Sequence, residues 1–567
     1  MTISTWQEKA AVKRAEMTAK IPQEWLLPTE FLKEATGDAN VLDIPARCGI
    51  LTQSEIQITE IQDATTLRNK LAAQELSAVE VATAFCKRAA IAQQLTFCLT
   101  ETMFPEALER AKMLDEHLKT TGKPYGPLHG VPISIKDSLN VEGVYSTLGI
   151  VSFLDHPTAS QNSPLVDVLL DAGAILYVKT NIPQTMMTAD SHNNVFGRVL
   201  NPHRLNLTAG GSSGGEGALI AMRGSILGIG TDIAGSIRIP ALCCGTFGFK
   251  PSVGRVPSTG KSAGRPGMTG IAPVAGPLCH SVRDAEMLLQ VVFDADIDDK
   301  DDSALAFPWI EPINSTGKVL AIGILPEDPR RPLHPSMQRT LATATEKLQQ
   351  AGHTTIDLTG VDFIADASDL SFSFFRADPD QIVLKRLSES GEPAIPSLKF
   401  TYDLEGKSAE TTLRDFFNLN AAKAEISSHM RRVFIDNKLD FIIAPGYQSP
   451  AVPHDTYGIP IYTVLANLPP PFQLIPSANF SVQYPACVIP FGKAEATSDS
   501  KFIRDVEYYP PCKDIENVNS FPGYLLIETD QPSQIEGAPC HVQLIGRRQK
   551  DEILIKHAKI VENILKS

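Results

Sequence analysis

The chain has 567 residues, 43% of them hydrophobic and 20% charged, with 65 acidic against 51 basic residues and a formal net charge of −14. That composition suits a globular protein with a large core, and the acidic excess excludes binding to nucleic-acid backbones through an overall positive field. Nine cysteines, of which only Cys243-Cys244 are close in sequence, form neither a disulfide framework nor a metal-ligand spacing; they read as small hydrophobes in a reducing compartment, and the cytoplasm is expected.

The first twenty residues are charged and amphipathic, without the apolar run of a secretory leader. No stretch approaches the ~18 uninterrupted apolar residues of a membrane span. Residues 1–90 read as a helical N-terminal region. Ser77-Ala78-Val79-Glu80 is a capping-box pattern, and Val81, Ala84, Phe85 and Arg88 continue at helical spacing. From about residue 128, short β-rich runs (Val131 to Ile135, Ile175 to Val178, Ile226 to Ile229) alternate with small-residue helices such as Ser163 to Ala172. Helices alternating with buried strands predict an α/β fold whose sheet is covered on both faces.

The acidic stretch from Asp294 to Asp302 reads as a solvated loop. A strand over Val319 to Leu325 and a helix over Pro332 to Ala351 follow. Pro469-Pro470-Pro471 marks an irregular surface loop, and His541 to Arg548 is a strand running into a closing helix, Asp551 to Leu565. Length alone suggests roughly three or four domains. With no repeat and no long flexible linker, however, one large domain is expected.

The chemistry concentrates between Ala209 and Pro251. Two Gly/Ser turns, Gly210-Gly211-Ser212-Ser213-Gly214-Gly215 and Thr231-Asp232-Ile233-Ala234-Gly235-Ser236, each open a helix, and each brings hydroxyls and bare backbone N–H groups to a helix N-terminus. Three readings compete. A phosphate site would end in Gly-Lys-Ser/Thr, whereas the first turn ends in Glu216, whose charge would repel phosphate. A purely structural reading makes the glycines tight turns and the serines helix caps. The favoured reading is acyl transfer, in which N–H donors beside a serine nucleophile hold the oxyanion of a tetrahedral intermediate.

A serine nucleophile needs a base. No histidine pairs obviously with Ser236, and no nucleophile elbow surrounds it. The run Gly126 to Asp137 supplies an alternative: Val131, Ile133 and Ile135 alternate with Pro132, Ser134 and Lys136, so a lysine ends an otherwise apolar strand. Taken alone, such a lysine reads as a surface or ion-paired residue.

These segments resemble the amidase signature family. LHGVPISIKD at 128–137, VKTNIPQTMM at 178–187, the whole of 209–251, IAPGYQSPAVPHD at 443–455 and VQLIGRR at 542–548 carry the likeness. The full-length pattern is like that of fungal acetamidases and general amidases, with fatty acid amide hydrolases as more distant relatives. The resemblance implies a single large domain over 91–567, with a signature core at 128–280 and a central mixed β-sheet covered by helices on both faces. It also implies a Ser-cis-Ser-Lys triad: Lys136 as ultimate base, Ser212 as bridging serine in a turn holding a cis peptide bond, and Ser236 as nucleophile.

The N–H groups of Ile233, Ala234, Gly235 and Ser236 would form the oxyanion hole. Ser213 would add a supporting hydrogen bond, and Asp232 and Arg238 would fix the loop without taking part in catalysis. Met186, Met187 and Thr188, with Ser212, would lie near the bound acyl group, core packing being the competing reading for the two methionines. For the chemistry to run, Lys136 must be neutral, although a free lysine near pH 7 is neutral in fewer than about one molecule in a thousand; burial away from carboxylates would supply this. One departure is Ala234 where the family has glycine. If that position needs positive φ, its methyl costs ~1–2 kcal/mol.

The expected activity is hydrolysis of a carboxylic amide, with a small-molecule amide as substrate. No cofactor, metal, nucleic acid or membrane span is expected, and a homodimer is compatible with the sequence. Two rivals stand: an amidotransferase subunit acting with a partner, and a catalytically dead binding protein.

Overall fold

The capping box at Ser77 forms as the spacing predicts: its hydroxyl accepts from Glu80 N–H and the Glu80 carboxylate returns to the Ser77 N–H, which starts helix Ala78–Thr96. That helix buries Val81, Ala84, Phe85 and Arg88. The Arg88 guanidinium is satisfied by Glu60, Thr59 and the Met222 carbonyl. The computed structural model describes residues 5–262, 267, 270–305, 307–312, 317–378, 380–404, 411–468, 483–504, 506, 508 and 535–567. The loop expected at Pro469-Pro470-Pro471 lies outside the described residues.

Thirteen strands are present among the described residues: β1 Leu99–Thr102, β2 Pro132–Lys136, β3 Ile175–Thr180, β4 His192–Asn193, β5 Gly197–Arg198, β6 Leu227–Asp232, β7 Phe247–Lys250, β8 Val274–Cys279, β9 Ala321–Ile324, β10 Thr354–Asp357, β11 Phe441–Ala444, β12 Ala486–Lys493 and β13 Pro539–Ile545. β4 and β5 pair with each other, and the other eleven form one mixed sheet in the order β1-β3-β2-β6-β8-β7-β12-β13-β11-β9-β10. β2 is parallel to both β3 and β6, whereas β6, β8, β7, β12 and β13 run antiparallel in succession. One continuous hydrophobic core reaches from Met17 in the first helix to Leu565 in the last. Among the described residues, no helix is long and apolar enough to cross a membrane.

The boundaries depart from expectation where tertiary pairing adds to local pattern. β6 continues to Asp232 because β8 pairs with it residue by residue as far as Asp232↔Val274. β3 runs on to Thr180, which lies opposite Lys136. The helix expected from Pro332 begins at Pro335, where His334 Nδ1 accepts from the Ser336 N–H and proline occupies the first turn. The acidic stretch is mostly exposed, but Asp301 is buried: its carboxylate accepts the backbone N–H groups of Ser258, Thr259 and Ser303. Three N–H donors compensate this carboxylate for the water it gives up on burial.

Register places the site. Ile133↔Leu227 and Ile135↔Ile229 align β2 with β6 in parallel, so Lys136 and Thr231 come together near the carboxyl ends of adjacent strands. Crevices outside those ends are where open α/β sheets bind ligands.

Candidate active site

Lys136 closes β2 with its side chain fully buried, and its Nζ lies 2.8 Å from Ser212 Oγ and 2.9 Å from Thr231 Oγ1. The surface or ion-paired reading of this lysine is therefore corrected, since its neighbours are two hydroxyls held by adjacent segments. Burial pushes its pKa from the ordinary 10.5 down to about 7. The expected distance from carboxylates also needs correction. Asp232, Glu216 and Asp137 act on Lys136 at longer range in the opposite sense, and burial outweighs them; a second lysine, Lys261, adds to the depression.

Ser212 follows Gly211 across a cis peptide bond in the turn that opens helix Gly214–Ala221. Ser213 gives that helix no side-chain cap. Its Oγ instead lies 3.3 Å from the Thr231 N–H, and its own N–H donates to the Ser236 carbonyl at 3.2 Å, tying the two Gly/Ser turns together. Ser236 precedes helix Arg238–Cys244 and shares a cavity with Ser212 and Thr231. Its hydroxyl makes no hydrogen bond to any described residue. No histidine lines that cavity among the described residues.

The loop bearing Ser236 is fixed by Asp232 and Arg238, both fully buried. Burial opposes ionisation of Asp232, but the Arg238 guanidinium beside it prevails and holds the carboxyl at about 2. Arg238 donates from Nε and Nη2 to the two carboxylate oxygens, both at 3.0 Å, and its remaining N–H groups go to Asn467, Gln543 and the Thr463 carbonyl. Asp232 also accepts from the N–H groups of Gly235 (2.8 Å) and Ile237 (3.2 Å).

Of the four N–H groups expected to form an oxyanion hole, that of Gly235 donates to Asp232 in this structure. The concern over Ala234 is removed. Ala234 is not among the residues of positive φ; Gly235 is the one, at φ +125°, where a Cβ would stand 2.3 Å from Thr463 Oγ1. The same Thr463 hydroxyl donates to the Ala234 carbonyl at 2.7 Å.

Two spaces meet at Ser236. A small lobe of about 40 Å³ is walled by Ala234, Ile239, Thr188, Phe372, Phe375 and Phe400. A larger lobe of about 630 Å³ runs past Ser212 and Thr231 to Ser258, Lys261 and Tyr402. Met186 and Met187 line both. Thr185 and Met186 hold left-handed backbone (φ +69° and +63°). Such strain on two successive non-glycine residues gathers at ligand-binding sites.

Other participants escaped the sequence reading. Thr231 was visible in its turn, but nothing marked it as a partner of Lys136. Glu216 does not face the mouth of its turn as the phosphate argument assumed. It is fully buried beneath the site, accepts from Ser134 and Thr180, and is raised by burial to about 7. It packs so closely over β6 that a Cβ at Gly228 would lie 2.0 Å from Glu216 Oε2. Phe372 and Phe375 sit on the amphipathic helix Ile364–Arg376, where pattern cannot separate a pocket wall from ordinary core. Among the described residues, no cluster of three or more histidine, cysteine or acidic side chains could hold a metal.

Comparison with known proteins shows the family. A family model described as Amidase matches residues 80–555. An amidase of Gibberella moniliformis is 37% identical over 99% of both chains, and an acetamidase of Aspergillus oryzae is 35% identical over the whole of both. The solved structure of a fatty acid amide hydrolase superposes with a TM-score of 0.86 at 29% identity, covering 99% of this chain and 95% of that one. A bacterial aryl acylamidase of the amidase signature family, at 24% identity, has the same fold with a TM-score of 0.68. The chain belongs to the amidase family and is an amide hydrolase.

Proposed function

We propose that this amidase works through an acyl-enzyme on Ser236, with Ser212 relaying a proton to Lys136. The observation that carries the reading is the buried Lys136 amine, with a pKa of about 7, at 2.8 Å from the Ser212 hydroxyl. About half of such lysines are neutral at pH 7, compared with fewer than about one in a thousand for an exposed one. Neutral Lys136 takes the Ser212 proton as Ser212 takes that of Ser236. The Ser236 oxygen adds to the amide carbonyl, and the tetrahedral oxyanion rests on the N–H groups of Ile233, Ala234 and Ser236. The proton returns through Ser212 to the leaving nitrogen, the C–N bond breaks, and water delivered to the same base releases the carboxylate.

The small lobe, with room for only a few heavy atoms, favours a short aliphatic or compact acyl group against Ala234 and the phenylalanines. Met186, Met187 and Thr188 would bound it. We read residues 1–90 as a helical collar and 91–567 as the catalytic domain. The eight described cysteines, all free and buried, support a reducing compartment such as the cytoplasm.

A fluorophosphonate should label the purified protein once, on Ser236, as mapped by mass spectrometry. Parallel assays would follow ammonia or amine release from a panel of amides. Labelling elsewhere, or none, would overturn the reading.

A further inference from the structure

The triad and oxyanion donors need only the small lobe and the floor of the cleft. They leave unexplained a lysine on the wall of the larger lobe. Lys261 is no freely moving surface residue. Its backbone bridges to Leu139, three residues beyond Lys136, and the flanking Gly260 carbonyl and Ser262 N–H bond to Asn140 and Ser138. The preceding Ser258 and Thr259 are held by the buried Asp301 carboxylate. The Nζ meets the Ser258 hydroxyl but forms no ion pair with any described carboxylate. Asp301, the acidic group that acts on it most, is occupied by three N–H groups. Serine and threonine hydroxyls (Ser138, Ser258, Thr259, Ser262) surround it in the cavity wall.

Lys261 is partly buried in the wall of the cavity, and a cation held there without a counter-ion gains from an anionic partner that reaches it through the cavity. Here the open side of the cation faces the cavity that holds Ser236. The small lobe takes the acyl side, so the larger lobe is left for the amine side of the scissile bond, and its about 630 Å³ is far more than ammonia requires. We infer that the enzyme's substrates are N-substituted amides whose amine portion ends in a carboxylate or other anion, recognised by Lys261 and the hydroxyls around it. The inference rests on the Ser236 reading above. It makes Lys261 the residue that selects among amides: the anion is held at the far end of the lobe while the short acyl group occupies the small one.

The test compares two matched series, N-acetyl ω-amino acids of increasing chain length and N-acetyl alkylamines of the same lengths, in the wild type and in the Lys261→Met and Lys261→Arg variants. The readout is the ratio of kcat/KM between the anionic and neutral members at a fixed pH. In that ratio any change in Lys136 caused by removing the nearby Lys261 charge cancels. The wild type should prefer the anionic member at the best-fitting length by about tenfold or more, the range of a charge-assisted hydrogen bond. Lys261→Met should abolish the preference and Lys261→Arg should retain most of it, with thermal melting confirming that both variants fold. A wild type that favours the neutral series at every length, or a preference unchanged in Lys261→Met, overturns the inference while leaving the Ser236 reading intact. Hydrolysis of neither series also overturns the inference, and fluorophosphonate labelling of Ser236 in the same preparation decides the Ser236 reading separately.

Discussion

Acidification offers the sharpest test, because the proposed base must be uncharged. With Lys136 at about 7, its neutral fraction is about 90% at pH 8, about 50% at pH 7 and about 1% at pH 5. The displacement from 10.5 corresponds to roughly 5 kcal/mol against the buried ammonium, of which burial is the largest cause. In the wild type kcat/KM should therefore level off above about pH 8 and fall about tenfold per pH unit below 7, since this parameter reports the free enzyme. The assay is initial amine release from an uncharged amide whose own ionisation does not intervene. The rate of fluorophosphonate labelling at Ser236 provides a second readout that depends on the same base. Lys136→Met should lose about a hundredfold to ten-thousandfold in both at pH 8, the usual worth of a positioned base. A profile still climbing tenfold per unit from pH 8 to 10 would mean that Lys136 keeps an ordinary pKa. One flat from pH 5 to 8 would mean that it is not the base.

The same lysine makes a prediction about stability. Between pH 7 and 10.5 the unfolded chain holds more protons on residue 136 than the folded one does, so this group makes stability rise with pH across that window, and below 7 its full burial cost stands. Lys136→Met should thus melt above the wild type at pH 6, after a loss of about 1–3 kcal/mol for the two stranded hydroxyls, and its advantage should shrink by about 1.4 kcal/mol per pH unit toward pH 10; a constant gap in paired melting curves would contradict this. Gly235→Ala should cost roughly 2–4 kcal/mol in urea titration, from left-handed backbone and collision with Thr463, whereas Ala234→Gly should cost under about 1 kcal/mol and keep most activity. Comparable losses at the two positions would show that the wrong residue has been given the glycine requirement. Asp232→Asn should destabilise by about 3–5 kcal/mol, because it leaves the Arg238 guanidinium buried without its anion. Adding Arg238→Met should recover part of that loss, and a double variant no more stable than the single would refute the assignment.

Several features were legible in the sequence because they depend on neighbours a few residues apart. The Ser77 capping box, the alternation of apolar residues leading to Lys136, and the Gly/Ser turn that opens a helix after 210–213 form as local pattern predicts, while the second turn starts only after β6 ends at Asp232. The family likeness identified Lys136, Ser212, Ser236, Asp232 and Arg238 as a set, and the fold brings Lys136 and Ser212 into contact and joins Asp232 to Arg238.

Other properties arise from contacts between distant segments. Whether Lys136 is charged depends on how much protein surrounds it and on carboxylates from two other stretches, Glu216 and Asp232, as well as on its neighbour Asp137, and no spacing rule adds these together. The glycine requirement falls at 235, where φ is +125° and a Cβ would meet Thr463, a residue more than two hundred positions along the chain whose hydroxyl also donates to the Ala234 carbonyl. Lys261 has no signature in a Gly/Ser-rich run; only the bridge to Leu139 turns it into the cavity. The sequence by itself determined which groups could carry the chemistry, because identity and local backbone preference are written residue by residue. Tertiary structure alone decided their protonation, their free hydrogen bonds and the shape they face, because burial and long-range pairing exist only once the chain has closed.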